Sequence, residues 1–174
     1  MHETPEDLEE LQRLLDESYA SAGAHLLSIH TPDRRLTAER LCELLPGVRV
    51  LNLATVTANG EPRVGPVDGL FYRGRFWFGS SHESIRFRHL RARPAVSASH
   101  TVGEELAVVV HGAAREIAVE DPEHAGFRAY LLEVYGRQWE SWWPGRKPPY
   151  AVIEPRKMFT FWMEARRPPT SGSG

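Results

Sequence analysis

The stretch VRVLNLATVTANGEPRVGPVDGLFYRGRFWFGS, residues 48–80, constrains the fold more than any other part of the chain. It is rich in β-branched and aromatic residues and is cut twice, at Asn59-Gly60 and at Arg73-Gly74. Each dipeptide supplies a residue that tolerates positive φ, as tight hairpin turns require. The pattern predicts three antiparallel strands, about 48–58, 62–72 and 75–79. Pro62 and Pro66 have no N–H to give to a ladder, so the middle strand should be irregular there or lie at an edge.

Two more strands are expected in AVSASHT and ELAVVVHGAAREIAV, joined by a turn around Gly103-Glu104. A last pair, YAVIE and KMFTFWME, is expected to be interrupted at Pro155. Helices flank this body. TPEDLEELQRLLDESY places Thr4 as N-cap, Pro5 at the first helical position and Asp7 three residues after the cap. Leu8, Leu11, Leu15 and Tyr19 then recur at helical spacing. TAERLCELL reads as a second, short helix stopped by Pro46-Gly47, and DPEHAGFRAYLLEVYG as a helix capped by Asp121 and ended by Gly136. RQWESWWPGRKPP reads as a loop. The whole is mainly β with flanking helices, an α+β chain in which a closed or nearly closed barrel removes the sheet's edges. One domain is expected over residues 1–164, with a helical segment at 1–47, the barrel at 48–164 and a disordered tail at 165–174.

The chain has 174 residues, a net charge of -2, 41% hydrophobic and 25% charged residues, values of a soluble globular protein. No basic stripe favours nucleic acid. The single cysteine, Cys42, excludes an intramolecular disulfide, and on its amphipathic helix it reads as a small buried hydrophobe. No leader and no long apolar run are visible, so a cytoplasmic protein without membrane contact is expected.

Against that acidic balance, FGSSHESIRFRHLRARP (78–94) gathers four arginines behind three serines. Ser80 and Glu83 fit a capping box, and a short helix should run to about Ala92, before Pro94. A strand ending where a helix begins presents free N–H groups and a positive dipole end. Arg86, in the first turn and a half, can reach an anion with its guanidinium, whereas Arg88, Arg91 and Arg93 point elsewhere. The same residues also suit a capped surface helix with solvated arginines. The eight histidines show no metal-ligand spacing, and no metal site is expected. Tyr135, Trp139, Trp142 and Trp143 suit either core packing or a wall stacking on a planar ring.

The order of these motifs carries a resemblance. A LATV strand, an Asn-Gly turn, PRVGPV, an aromatic FWF strand and a serine–basic helix ended by proline resemble the pyridoxamine 5'-phosphate oxidase-like family of FMN-binding split β-barrels. The likeness spans about residues 44–118 and is weaker through YAVIEPRKMFTFW. It implies a six-stranded antiparallel split barrel that forms a homodimer, with FMN at the interface. It also implies cofactor residues. Arg63, Val64, Gly65, Pro66 and Val67 match the strand that lines the isoalloxazine ring, its arginine reaching the phosphate. Gly79 and Ser80 match the turn after the aromatic strand, Ser84 and Arg86 the phosphate ligands, and His89 a position often occupied by glutamine.

After KMFTFWME the chain shows no arginine-rich segment of the kind that grips the oxidase's substrate phosphate, so oxidation of pyridoxamine phosphate is not the expected activity. The resemblance implies a flavin-dependent oxidoreductase acting on a small molecule. An F-420 (deazaflavin) reductase and a non-enzymatic flavin- or haem-binding protein are the alternatives on the same fold.

Overall fold

The computed structural model describes residues 1–142 and 147–164. Six strands, β1 (Val48–Val56), β2 (Pro62–Tyr72), β3 (Arg75–Gly79), β4 (Ala95–Val102), β5 (Leu106–Ile117) and β6 (Tyr150–Trp162), close into an antiparallel barrel in the order β1-β2-β3-β6-β5-β4. The hairpin turns are where the dipeptides place them, with Gly60 at φ 82°, Arg73 at 50° and Gly74 at 69°. Arg73 is the one non-glycine residue with positive φ among the described residues.

The prolines of β2 act as expected. Residues 62–70 pair with β1, but β3 joins β2 only from Gly69 onward, so Pro62 and Pro66 stand where the strand's other side is open. The last strand corrects the sequence reading. Pro155 does not divide it; β6 runs unbroken, and a register shift between His111 and Gly112 absorbs the irregularity. Gly112 makes the bulge possible, because a Cβ there would collide with the carbonyl of Glu154.

Helix α1 (Pro5–Ala20) opens with the Thr4–Asp7 capping box and lies against β6. Its side chains serve the edge of β6 that no strand covers. Ser18 Oγ accepts from Met158 N (2.9 Å), and Tyr19 Oη accepts from Thr160 N (2.9 Å) while donating to Thr160 O (2.5 Å). Buried main-chain groups demand such partners, so the helix seals a sheet edge as well as burying Leu11 and Leu15. The stretch after it is helical as well, α2 (Ala24–Ile29). A 3-10 turn (Pro32–Arg34) and α3 (Ala38–Leu44), capped by Thr37, complete the segment.

All three aromatic side chains of Phe76-Trp77-Phe78 are buried, because both faces of β3 are covered. Phe76 and Phe78 join the barrel core, while Trp77 faces outward and stacks on Phe127 at 4.3 Å. Phe127 belongs to α5 (Ala125–Tyr135), which ends at Gly136 as expected. Asp121 precedes a 3-10 turn, Pro122–His124, and makes no side-chain cap bond, so the α-helix starts later than the sequence suggests. Residues 138–141, expected in a loop, form α6 (Gln138–Ser141). The expected tail at 165–174 lies outside the described residues.

Candidate functional site

The segment after β3 corrects a second expectation. The Ser80 N–H bonds to Pro149 O (3.3 Å), and the helix α4 (Ile85–Ala92) is capped by Ser84, whose Oγ accepts from Phe87 N at 3.2 Å. Ser80 and Ser84 are chemically equivalent caps. The tie between Ser80 and the chain just before β6 carries the backbone on through a turn and delays the helix by four residues. Capping uses the acceptor side of the Ser84 hydroxyl and leaves its O–H to donate. Among the described residues, the N–H groups of Ile85 and Arg86 carry no hydrogen bond.

Helix α4 packs against β1, and between its first turns and β1–β2 runs an open groove of about 320 Å³. That volume is at the lower end of the roughly 300–1,000 Å³ usual for small-molecule sites. Leu53, Val64 and Ile85 supply apolar surface, and Val64 and Ile85 are 71% and 61% exposed at the rim. Thr55, Thr57, Arg63, Gly65, Arg86 and His89 supply the rest of the lining, which contains no carboxylate.

Arg86 is the centre of this arrangement. Its Nη2 donates to Pro66 O at 3.2 Å, and it has no ion pair among the described residues. Burial lowers its pKa from the ordinary value, the sign of a guanidinium that has lost water without gaining a counter-charge. Gly65 makes room for it, since a Cβ there would lie 3.1 Å from Arg86 Nη2. The other three arginines are employed or displayed elsewhere. Arg91 forms a two-point bond to Glu116 (2.7 and 2.8 Å), Arg93 donates to Ala58 O (3.4 Å), and Arg88 is exposed.

Of the residues singled out from sequence, Arg63, Val64, Gly65, Arg86 and His89 meet in the groove, with the Pro66 carbonyl and Ser84 beside it. Arg63 is exposed and paired with Glu61 at 2.8 Å. Val67 turns into the barrel core, Gly79 lies against the Tyr150 ring, and neither they nor Ser80 line the groove. Thr55, Thr57 and Ile85 were not anticipated. Leu53 and Thr55 share one face of β1 at period two, with Thr57 just past its end, and a threonine in that core-facing register was the available signal.

The aromatic group divides. Trp139 is buried and donates from Nε1 to Tyr150 Oη at 2.9 Å, so it is core. Trp142 is half exposed, edge-on to Tyr135 at 5.4 Å, and Trp143 lies outside the described residues. Cys42 is half-buried, and burial pushes its thiol up to about 12, which makes it unreactive.

A six-stranded antiparallel barrel sealed by an N-terminal helix, with a groove between its first hairpin and a serine-capped basic helix, has the architecture of a split-barrel protein. The chain belongs to the pyridoxamine 5'-phosphate oxidase family, whose model matches residues 37–162. Comparison with curated proteins finds no match. Among solved structures, the chain is similar to a conserved hypothetical protein of Mycobacterium tuberculosis (TM-score 0.63, 18% identity, covering 82% of this chain and 98% of that one). It is similar to an FAD-binding protein of Mesorhizobium loti (TM-score 0.56, 23% identity, 73% and 95% covered). A structure described as an F420 reductase also aligns (TM-score 0.51, 21% identity, 67% and 93% covered). At these identities the likenesses establish the fold. No helix among the described residues is long and apolar enough to cross a membrane.

Proposed function

We propose that the chain is a cytoplasmic, flavin-dependent oxidoreductase that holds FMN in the α4 groove, acts as a homodimer, and exchanges hydride or electrons with a small molecule. The observation that carries this reading is Arg86, a partly desolvated guanidinium at the groove with a single carbonyl bond and no carboxylate. Such a group is matched by a bidentate phosphate.

The residues present fit the cofactor. Arg86, the Ser84 hydroxyl and the unbonded N–H groups of Ile85 and Arg86 hold the phosphate, with Arg63 as a second cation. The backbone from Val64 to Val67 and the apolar side chains of Leu53 and Ile85 accept the ring, His89 gives it a polar neighbour, and Gly79 and Ser80 follow at the end of β3. FMN, when bound, supplies the redox chemistry; the chain binds it, orients it and limits access of water. Family membership supports this reading, as does likeness to a protein described as FAD-binding. The exposed rim residues Val64 and Ile85 suit burial by a second copy.

The test is the absorbance spectrum of the purified protein before and after titration with FMN, F-420 and haem. A two-band flavin spectrum with saturable FMN binding is expected. A single deazaflavin band moves the assignment to F-420, and a Soret band to haem. No binding of any of the three overturns a cofactor site in this groove. Turnover with NAD(P)H or a reduced deazaflavin separates enzyme from carrier, and light scattering tests the dimer.

A further inference from the structure

We propose that Thr55 is a positioning residue that holds His89 as the neutral imidazole protonated at Nε2, so that the groove offers its ligand an N–H donor at that point. The identity of the ligand as FMN rests on the reading above; the proton's place does not.

The argument starts from the Thr55 hydroxyl. Thr55 is 3% exposed, and its Oγ1 lies 2.9 Å from His89 Nδ1, its one hydrogen-bond partner among the described residues. The contact can be made two ways. If Nδ1 carries the proton and Oγ1 accepts it, the hydroxyl's own proton is left with no acceptor among the described residues. If the hydroxyl donates to a bare Nδ1, both buried atoms are satisfied and the ring proton sits on Nε2. The second arrangement leaves no buried polar atom unpaired. His89 Nε2 has no hydrogen-bond partner among the described residues and is not among the buried unpaired atoms, so it is open to solvent where His89 lines the groove. Arg63 and Arg86 line the same groove and only donate. With His89 fixed this way, the groove's titratable side chains present donors to the ligand, as an anionic or carbonyl-edged ligand requires. Thr55 therefore acts through His89, the ring its hydroxyl is bonded to.

The experiment is nitrogen NMR of histidine-labelled protein, ligand-free, at a pH where imidazole is neutral, with His89 assigned by its loss in His89→Gln. The wild type is expected to show a protonated Nε2 and a bare Nδ1. Thr55→Val keeps the shape and removes the hydroxyl, and should shift the ring to a mixture of tautomers; Thr55→Ser should restore the wild-type pattern. In parallel, Thr55→Val should weaken FMN binding about three- to tenfold, and Thr55→Ser should leave it unchanged. A wild-type ring protonated at Nδ1 overturns the proposal, as does a Thr55→Val variant with unaltered tautomer and affinity. If the wild type binds no FMN, the proposed function fails by itself, and the ligand-free spectra still decide where the proton lies.

Discussion

Arg86 Nη2 donates to the main-chain oxygen of Pro66 at 3.2 Å, tying the first turn of α4 to the strand whose Gly65 leaves space for the guanidinium. One bond orients the side chain and leaves most of its five N–H donors free. Arg91, five positions further on, spends its guanidinium on Glu116. The pair makes a direct comparison.

Arg86→Ala should weaken FMN binding by about 1.5–3 kcal/mol, the cost of losing a charge-assisted bond. Arg91→Ala should leave binding unchanged and cost stability at most about 1 kcal/mol, because its ion pair is exposed and screened. Titration calorimetry on both variants checks this, and equal affinities for Arg86→Ala and wild type would place the phosphate elsewhere, with Arg63 next in line.

Ser84 has two roles that can be separated. Ser84→Ala removes the cap and should cost about 0.5–2 kcal/mol of stability as well as affinity. Ser84→Asp keeps a good cap but sets a carboxylate against the phosphate, so the thermal midpoint should stay close to wild type while FMN binding is lost. Retained binding in Ser84→Asp would remove Ser84 from the phosphate site.

Tyr19→Phe tests the sealed edge of β6. The change leaves the ring in place but strips the hydroxyl that serves both Thr160 N and Thr160 O. A loss of about 1–3 kcal/mol is expected in denaturant unfolding, the penalty for the Thr160 N–H left unpaired, while Thr160 O keeps the His30 ring nitrogen at 2.9 Å. Hydrogen exchange at Thr160 should quicken; an unchanged rate would mean the hydroxyl does not protect that edge.

Alkaline pH should destabilise the fold. Burial raises Cys42 from 9.0 to about 12 and raises Tyr130, Tyr135 and Tyr150 above their ordinary 10.0. Each group keeps its proton in the folded chain at a pH where the unfolded chain has lost it. The stability this contributes is complete below the unfolded values, falls from about pH 9 upward, and is gone once the folded values are passed. Thermal midpoints should therefore drop above about pH 9, with tyrosinate absorbance appearing together with unfolding. Cys42 should react with a disulfide reagent about a thousandfold more slowly in the native than in the unfolded chain near pH 8, following its thiolate fraction.

Features set by neighbours in sequence were legible from the residues alone. The two hairpins follow from Asn59-Gly60 and Arg73-Gly74, the start of α1 from Thr4, Pro5 and Asp7, and the open side of β2 from its prolines. The rise of a basic, serine-led helix straight after an aromatic strand pointed to the segment that borders the groove, and to Arg86 as an arginine lining it, for the same reason: the geometry is local. Features that depend on a distant partner were not legible. Ser84 caps α4 because Ser80 is held by Pro149, β6 stays whole because Gly112 on the neighbouring strand absorbs its irregularity, and Val67 is taken into the core by the parity of β2. Thr55 and His89 meet only when the barrel closes α4 against β1. Caps and turns are chosen within a few residues, whereas the polarity of the groove is decided by which buried hydrogen bonds the closed barrel must satisfy.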